Sequence, residues 1–268
     1  MHLLFPSDPF NKSIPDAAYA EELAASQELG LACSVFSFED FEQGVFKPRP
    51  ALPAEGEILY RGWMLRPESY ELLNTAVLAK GSLLKVSPAQ YRHCHHLPEW
   101  YPLCQDITPE TVVVPRDADF AQALADKGWP AYFVKDYVKS LTTGRGSVVA
   151  SAQEVAEVVL LIEQYRGSME GGVCIHRFES LLAESEERYF VLDGKAHARE
   201  GSAPALVHAL ARRIQSPFFS ADLVLSATGD LRLFELGDGQ VSNRKQWPAL
   251  RFASMLCEAR APAATSKQ

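Results

Sequence analysis

The sequence is short of several features that would name a chemistry directly. Its five cysteines, at 33, 94, 104, 174 and 257, are odd in number, scattered and without a C-x-x-C pair. That argues against a disulfide framework and fits reduced thiols in a cytoplasmic protein. No apolar run approaches the roughly 18 residues of a membrane span. Met1 is not followed by a basic start and a long apolar core, so no secretory leader is expected. Basic residues are in deficit: 26 Lys and Arg against 34 Asp and Glu leave a net charge of −8. Nucleic acid and anionic membrane surfaces are therefore not expected as general partners. G-x-G-x-x-G is missing after the first expected strand, G-x-x-x-x-G-K-[ST] is absent, and so are H-R-D and D-F-G. These absences disfavour a dinucleotide site there, a P-loop and a protein-kinase site.

What is there is an ordinary globular composition, 47% hydrophobic and 22% charged over 268 residues, long enough for two or three modest lobes. Strands at 3–5, 32–38, 57–61 and 82–86 alternate with helices at 16–29 and 67–80, which predicts a parallel, Rossmann-like sheet. Asp16 is placed to cap the first helix and Gly30 to stop it. A helix-rich connector, 87–104, follows. A second unit has strands at 111–114, 132–138 and 146–150 with helices at 118–128 and 152–165. A third, from 172, mixes a strand at 173–178, hairpins about Asp193-Gly194 and Thr228-Gly229, and a helix near 206–214. The expected domains are 1–104, 105–171 and 172–258, with a disordered tail over 259–268.

Chemistry-bearing residues stand out against this pattern. In the last hairpin, a turn centred on Thr228-Gly229 makes facing numbers sum to 457, and Asp222 with Glu235 gives that sum. Facing residues lie about 4.5–5.5 Å apart, so like charges there repel unless a cation sits between them. Mg²⁺, which takes one or two carboxylates and fills its shell with phosphate and water oxygens, suits the pair, as against an ordinary hairpin with solvated acids. Lys135 interrupts the apolar strand Tyr132-Phe133-Val134-Lys135, where it must find an anion or snorkel out of an edge. The small-residue stretch 140–147, with Gly144, Arg145 and Gly146, offers backbone and side-chain donors for phosphate, or is a plain turn. Across the Asp193-Gly194 hairpin the facing sum is 387, which opposes Arg188 to Arg199: an anion site, or a solvated edge. His93, His95 and His96 with Cys94 and Cys104 hint at zinc, but no second separated ligand pair supports it. Lysine strand, loop, arginines and carboxylates together match the needs of a Mg-nucleoside triphosphate.

Several stretches also resemble the ATP-grasp superfamily, in its compact bacterial and phage branch. They are Tyr60-Arg61-Gly62-Trp63-Met64, Gln90-Tyr91-Arg92-His93-Cys94-His95, Pro98-Glu99-Trp100-Tyr101-Pro102, Phe133 to Ser140, Phe218-Phe219, and Glu235 to Ser242. The resemblance implies a mixed α/β and α+β protein: a Rossmann-like pre-ATP-grasp domain, a small lobe with a lid, and a large lobe with the metal site. It implies ATP and Mg²⁺ as cofactors, with Lys135, Lys139, Thr143, Gly144, Arg145, Arg177, Phe178, Glu179 and Arg188 around the nucleotide. Asp222, Glu235 and Asp238 would hold Mg²⁺, although the usual E-x-N ending is replaced here by Gly237-Asp238. Arg61, Trp63, Arg92, His93 and Arg199 would meet substrate, with Arg61 gripping its carboxylate from the end of the third strand. Arg188 and Lys135 would stabilise the transferring phosphate. The implied activity is a carboxylate–amine ligase that forms an acylphosphate on an amino acid, peptide or protein end. The alternatives are an ATP-binding pseudoenzyme or regulatory partner-binding module and, last, a nucleotidyltransferase through Lys135, whose K-x-D-G signature is not met. A small carboxylate or peptide and an amine are the expected partners, and a homodimer is compatible with the sequence.

Overall fold

The computed structural model describes residues 1–138, 146–167 and 169–258. Lys139, Thr143, Gly144 and Arg145, most of the expected lid, lie outside the described residues, as does the tail from 259. No helix among the described residues is long and apolar enough to cross a membrane. All five cysteines are free thiols.

Strands β1 (His2–Pro6), β2 (Ala32–Phe36), β3 (Glu57–Tyr60) and β4 (Leu83–Leu84) form a parallel sheet in the order β2-β1-β3-β4. Every residue of β1 is buried, as expected of a central parallel strand covered on both faces. The connections obey the sequence signals. Asp16 accepts from the Ala18 N–H at 2.9 Å and starts a 3₁₀ turn that leads into the helix Ala20–Glu28. Gly30, at φ +74°, ends it. Pro67 opens the helix Pro67–Leu78, where its missing N–H costs nothing.

Strands β5 (Thr111–Val114), β6 (Tyr132–Asp136), β7 (Val148–Val149) and β8 (Val173–Arg177) form an antiparallel sheet in the order β5-β8-β6-β7. The helix Ala152–Arg166, capped by Ser151, contributes Val155, Val158, Val159 and Ile162 to a core shared with Val134, Val149 and Ile175. Strands β9 (Leu181–Leu192), β10 (Lys195–His197), β11 (Phe218–Ser226) and β12 (Leu231–Asp238) complete the set in the order β10-β9-β11-β12.

The two hairpins differ in how well their turns are legible. Asp193 at φ +50° and Gly194 at φ +75° make a two-residue turn, so Leu192 faces Lys195 and Phe190 faces His197, the register that sums to 387. In the other hairpin the turn takes three residues. Gly229 N–H donates to Ser226 O, Ser226 N–H donates to Asp230 O, and Gly229 sits at φ +89°, which is a type I turn closed by a left-handed glycine. The tip therefore sums to 456. At the base, Gly239 N–H donates to Phe218 O and restores 457. One extra residue is thus accommodated in β12. The buried positions Leu233 and Leu236 break the alternation around Phe234 and Glu235, the signature of a bulge.

The chain divides into two compact units: residues 1–92, 188–221 and 237–268 in one, 93–187 and 222–236 in the other. The divisions fall inside β9, β11 and β12 and at 92/93, not at 104/105 or 171/172. A division inside a strand carries no proline- or glycine-rich linker, so composition cannot reveal it. Two helices also depart from expectation. The one at 118–128 shrinks to Phe120–Ala123, capped by Asp119. A helix not anticipated from the sequence, Ala249–Glu258, buries Phe252, Met255 and Leu256 in the first unit's core. These recur at i, i+3 and i+4 and contribute about 1.5–3 kcal/mol each.

Candidate functional site

In the unit containing β6, Lys135 pairs in register with Cys174 and Phe133 with His176. Paired residues share a face and the next-but-one residue returns to it, so Lys135, Cys174, Phe133 and His176 line one side of the sheet. Val134 and Ile175 line the other, against the helix Ala152–Arg166. Lys135 is only 8% exposed. Among the described residues no side chain or carbonyl makes a hydrogen bond or ion pair with its ammonium. Its surroundings are kept neutral. Burial and the adjacent Lys135 charge push the His176 pKa down to about 3, and His176 Nδ1 lies 2.8 Å from Thr111 Oγ1. Burial pushes the Cys174 thiol up to about 12. A buried ammonium among uncharged neighbours is an anion site.

The same unit carries Asp222, 1% exposed, and Glu235, half-buried at the β12 bulge. Bulges re-aim side chains, and the two acids face each other only where the 457 register has been restored. Asp238 is placed differently. It lies three residues beyond Glu235 on the same strand, hence on the opposite face. Its Oδ1 accepts from the Gln240 N–H at 3.0 Å and from Gln240 Nε2 at 3.1 Å. The three acids do not form a cluster of ligand atoms within 4.8 Å among the described residues. The expected third metal ligand thus belongs to a different network. There burial raises its carboxyl to about 7, against the opposing pull of Gln240 and Arg61.

The nucleotide-edge expectations around β8 are corrected as well. The Arg177 N–H donates to Glu110 O and the Phe178 N–H to Ala131 O, so both backbone donors are spent on the sheet. The Arg177 side chain is exposed, and Phe178 is 40% exposed. Glu179 is held by Arg232 in a two-pronged pair, both contacts at 2.9 Å, and is not directed to a ribose. His93 is half-buried, its Nε2 has no hydrogen-bond partner, and burial lowers its pKa.

In the unit containing β1, Arg61 is not a substrate grip. It is 1% exposed, and its guanidinium meets both oxygens of Glu22 and the carbonyls of Gly239, Gln240 and Ser242. Phe252 lies under it, 4.6 Å from ring centroid to Cζ. Trp63 packs edge-on against Phe38. Arg92 is exposed. Arg188 donates to the carbonyl and side-chain oxygens of Asn243 at 2.9 and 3.1 Å. β10 ends at His197, two residues short of the register that would oppose Arg188 to Arg199. Arg199 Nε is buried without a hydrogen-bond partner, its nearest carboxylate being Glu200 at 3.9 Å. Sequence reasoning missed Glu22, Gln240 and Tyr70. Gln240 ties the network together: it accepts from the Tyr60 N–H and lies 2.7 Å from Tyr70 Oη. An acid or amide on an otherwise apolar helix or strand face is the available signal, and it does not name its partner.

Comparison with known proteins places this geometry in context. Residues 94–256, more than half of the chain, match the model of an ATP-grasp domain family, the third family of its clade. No curated protein matches the chain. Among solved structures it is similar to the D-cycloserine synthetase DcsG, at 15% identity and TM-score 0.60, covering 96% of this chain and 99% of that one. The ATP-grasp ligase PsnB, solved with a minimal precursor, Mg and ADP, aligns at 13% identity and TM-score 0.62 over 97% of each chain. D-alanyl-alanine synthetase A from Vibrio cholerae O1 biovar eltor aligns at 12% identity and TM-score 0.63, again over 97% of each.

Proposed function

Because this chain belongs to the ATP-grasp domain family, we propose that it is an ATP- and Mg²⁺-dependent ligase joining a carboxylate to an amine. The observation that carries the reading is Lys135: nearly buried, with no partner among the described residues, on the open face of an antiparallel sheet. A charge left in that state costs several kcal/mol unless an anion completes it, and a nucleotide phosphate is such an anion. Asp222 and Glu235 fit Mg²⁺, since they are oxygen donors of the hard type it prefers and leave the rest of its shell to phosphate and water. Bound Mg²⁺ neutralises triphosphate charge.

The chain's own groups then act by placement and charge. Lys135 holds phosphate oxygens and stabilises negative charge as the γ-phosphoryl group moves to the substrate carboxylate. The acylphosphate so formed gives up phosphate when the amine attacks, which needs positioning more than a side-chain nucleophile. Arg199 and His93, each with a buried unpaired nitrogen, are the candidates to meet the acid or the amine. Arg188 is the candidate second cation for phosphate. The substrates are an amino acid, a peptide or a protein end, and the setting is cytoplasmic.

The test is ADP and phosphate release with panels of carboxylates and amines, alongside Mg-ATP binding by calorimetry. Turnover that requires both substrates and is lost in Glu235→Gln supports the ligase. Tight Mg-ATP binding without turnover for any pair would leave an ATP-controlled binding module instead. A stable Lys135–AMP adduct in the intact mass would overturn both.

A further inference from the structure

Away from Lys135, one cluster is built like a metal site of a different kind. His95, the last residue of the helix Pro88–His95, and His96, which precedes the helix Leu97–Trp100, turn toward Glu170 in the loop before β8. One ligand atom from each lies within 4.8 Å of the others. His96 Nε2 is 2.8 Å from Glu170 Oε1, and His95 Nε2 is 3.6 Å from the same oxygen. All three residues belong to one compact unit.

We propose that His95, His96 and Glu170 bind a divalent transition-metal ion of the Zn²⁺ class, with a fourth position left to water. Two imidazoles and one carboxylate form a donor set suited to zinc and distinct from the all-oxygen shell of Mg²⁺. Bond lengths of about 2.0–2.2 Å in a tetrahedron put neighbouring ligand atoms about 3.4 Å apart. The His95 contact is already near that spacing. The His96 contact needs to open by about half an ångström, exchanging a hydrogen bond for a metal bond. Any proton held between His96 and Glu170 leaves to solvent as the ion binds.

The surroundings fix the ligands as a metal site requires. The Glu170 N–H donates to Asp136 Oδ2 at 3.1 Å, and its carbonyl accepts from the Tyr137 N–H at 3.2 Å. The Tyr137 carbonyl in turn accepts from the Leu97 N–H at 2.9 Å, one residue past His96. The Tyr137 ring stands edge-on to His96 at 5.6 Å. Gly171 makes room for that ring: a Cβ there would fall 2.1 Å from Tyr137 Cδ2. The His96 and Glu170 side chains, 13% and 21% exposed, leave a path for the ion. The site would staple the connector to the end of β6, close in sequence to Lys135. It does not rest on the ligase reading.

The full chain, stripped of metal with chelator and exchanged into clean buffer, is titrated with Zn²⁺ against a chromophoric chelator. One equivalent is expected to bind, to raise the melting temperature, and to give tetrahedral d–d bands when Co²⁺ replaces Zn²⁺. Glu170→Gln, His96→Asn and His95→Asn should each weaken binding by at least about tenfold. Glu235→Gln should retain the same Zn²⁺ equivalent, which separates this site from Asp222 and Glu235. Circular dichroism of the Glu170→Gln chain guards against a folding defect, and His95→Asn, which leaves the His96–Glu170 contact in place, is the second variant. Absence of a stoichiometric equivalent, or unchanged affinity in all three folded variants, overturns the proposal. Loss of that equivalent in Glu235→Gln alone would overturn it too.

Discussion

Arg61 and Glu22 are locked together out of solvent, with Nε and Nη2 donating to the two carboxylate oxygens at 2.5 and 2.9 Å and both side chains at most 3% exposed. The guanidinium also donates to three backbone carbonyls, so the pair fastens the helix Ala20–Glu28 to the stretch after β12 within one unit. Burying two charges is offset only while both remain. Glu22→Gln is therefore expected to cost about 3–5 kcal/mol in urea denaturation. A double replacement, Glu22→Leu with Arg61→Met, should recover most of that loss. Equal destabilisation in the single and double variants would contradict this role for the pair.

Lys135 should show the opposite sign. Replacing an unpaired, nearly buried ammonium with Lys135→Met removes a desolvation penalty, and the ligand-free protein should gain about 1–2 kcal/mol. Mg-ATP affinity should fall by at least about tenfold, because the charge that costs stability is the charge that binds phosphate. Scanning calorimetry with and without Mg-ATP reads both effects. A destabilised variant with full ATP affinity would mark Lys135 as structural.

Asp238 sets a pH dependence. Its buried carboxyl keeps its proton up to about pH 7 in the folded chain, whereas an unfolded aspartate ionises near 3.9. The stability it contributes is full below about pH 4 and is lost as pH rises to about 7. Asp238→Asn is neutral throughout and keeps an acceptor for Gln240. Relative to the parent, it should gain on the order of 3–4 kcal/mol between pH 4 and pH 8. Denaturation at pH 4.5, 6 and 8 measures this, and a pH-independent difference would show that Asp238 does not titrate as described.

Gly171 tests the clamp around Tyr137. Its φ of +71° and the ring 2.1 Å from a would-be Cβ leave no room for a side chain. Gly171→Ala should cost about 2 kcal/mol or more through strain and overpacking. Gly194→Ala, at a similar φ but with nothing within 4 Å, should cost only the left-handed backbone penalty, about 1–2 kcal/mol. Equal losses would show that the Tyr137 contact yields easily.

By itself the sequence determined what local geometry controls. The strand–helix alternation before residue 90, the Asp16 and Gly30 boundaries, and the Asp193-Gly194 turn with its register follow from propensity, capping and the left-handed tolerance of glycine. Lys135 stood out because a charge in a β-branched run is conspicuous without any partner in view. Only the tertiary structure decided where the other charges go. A carboxylate or guanidinium is specified by what faces it, and those faces come from residues far apart in the chain or from a turn no pattern announces: Glu22 for Arg61, Arg232 for Glu179, Gln240 for Asp238, Asn243 for Arg188. The extra residue in β12 and the unit divisions within strands are likewise settled by packing on both faces of a sheet, which leaves no mark in local composition.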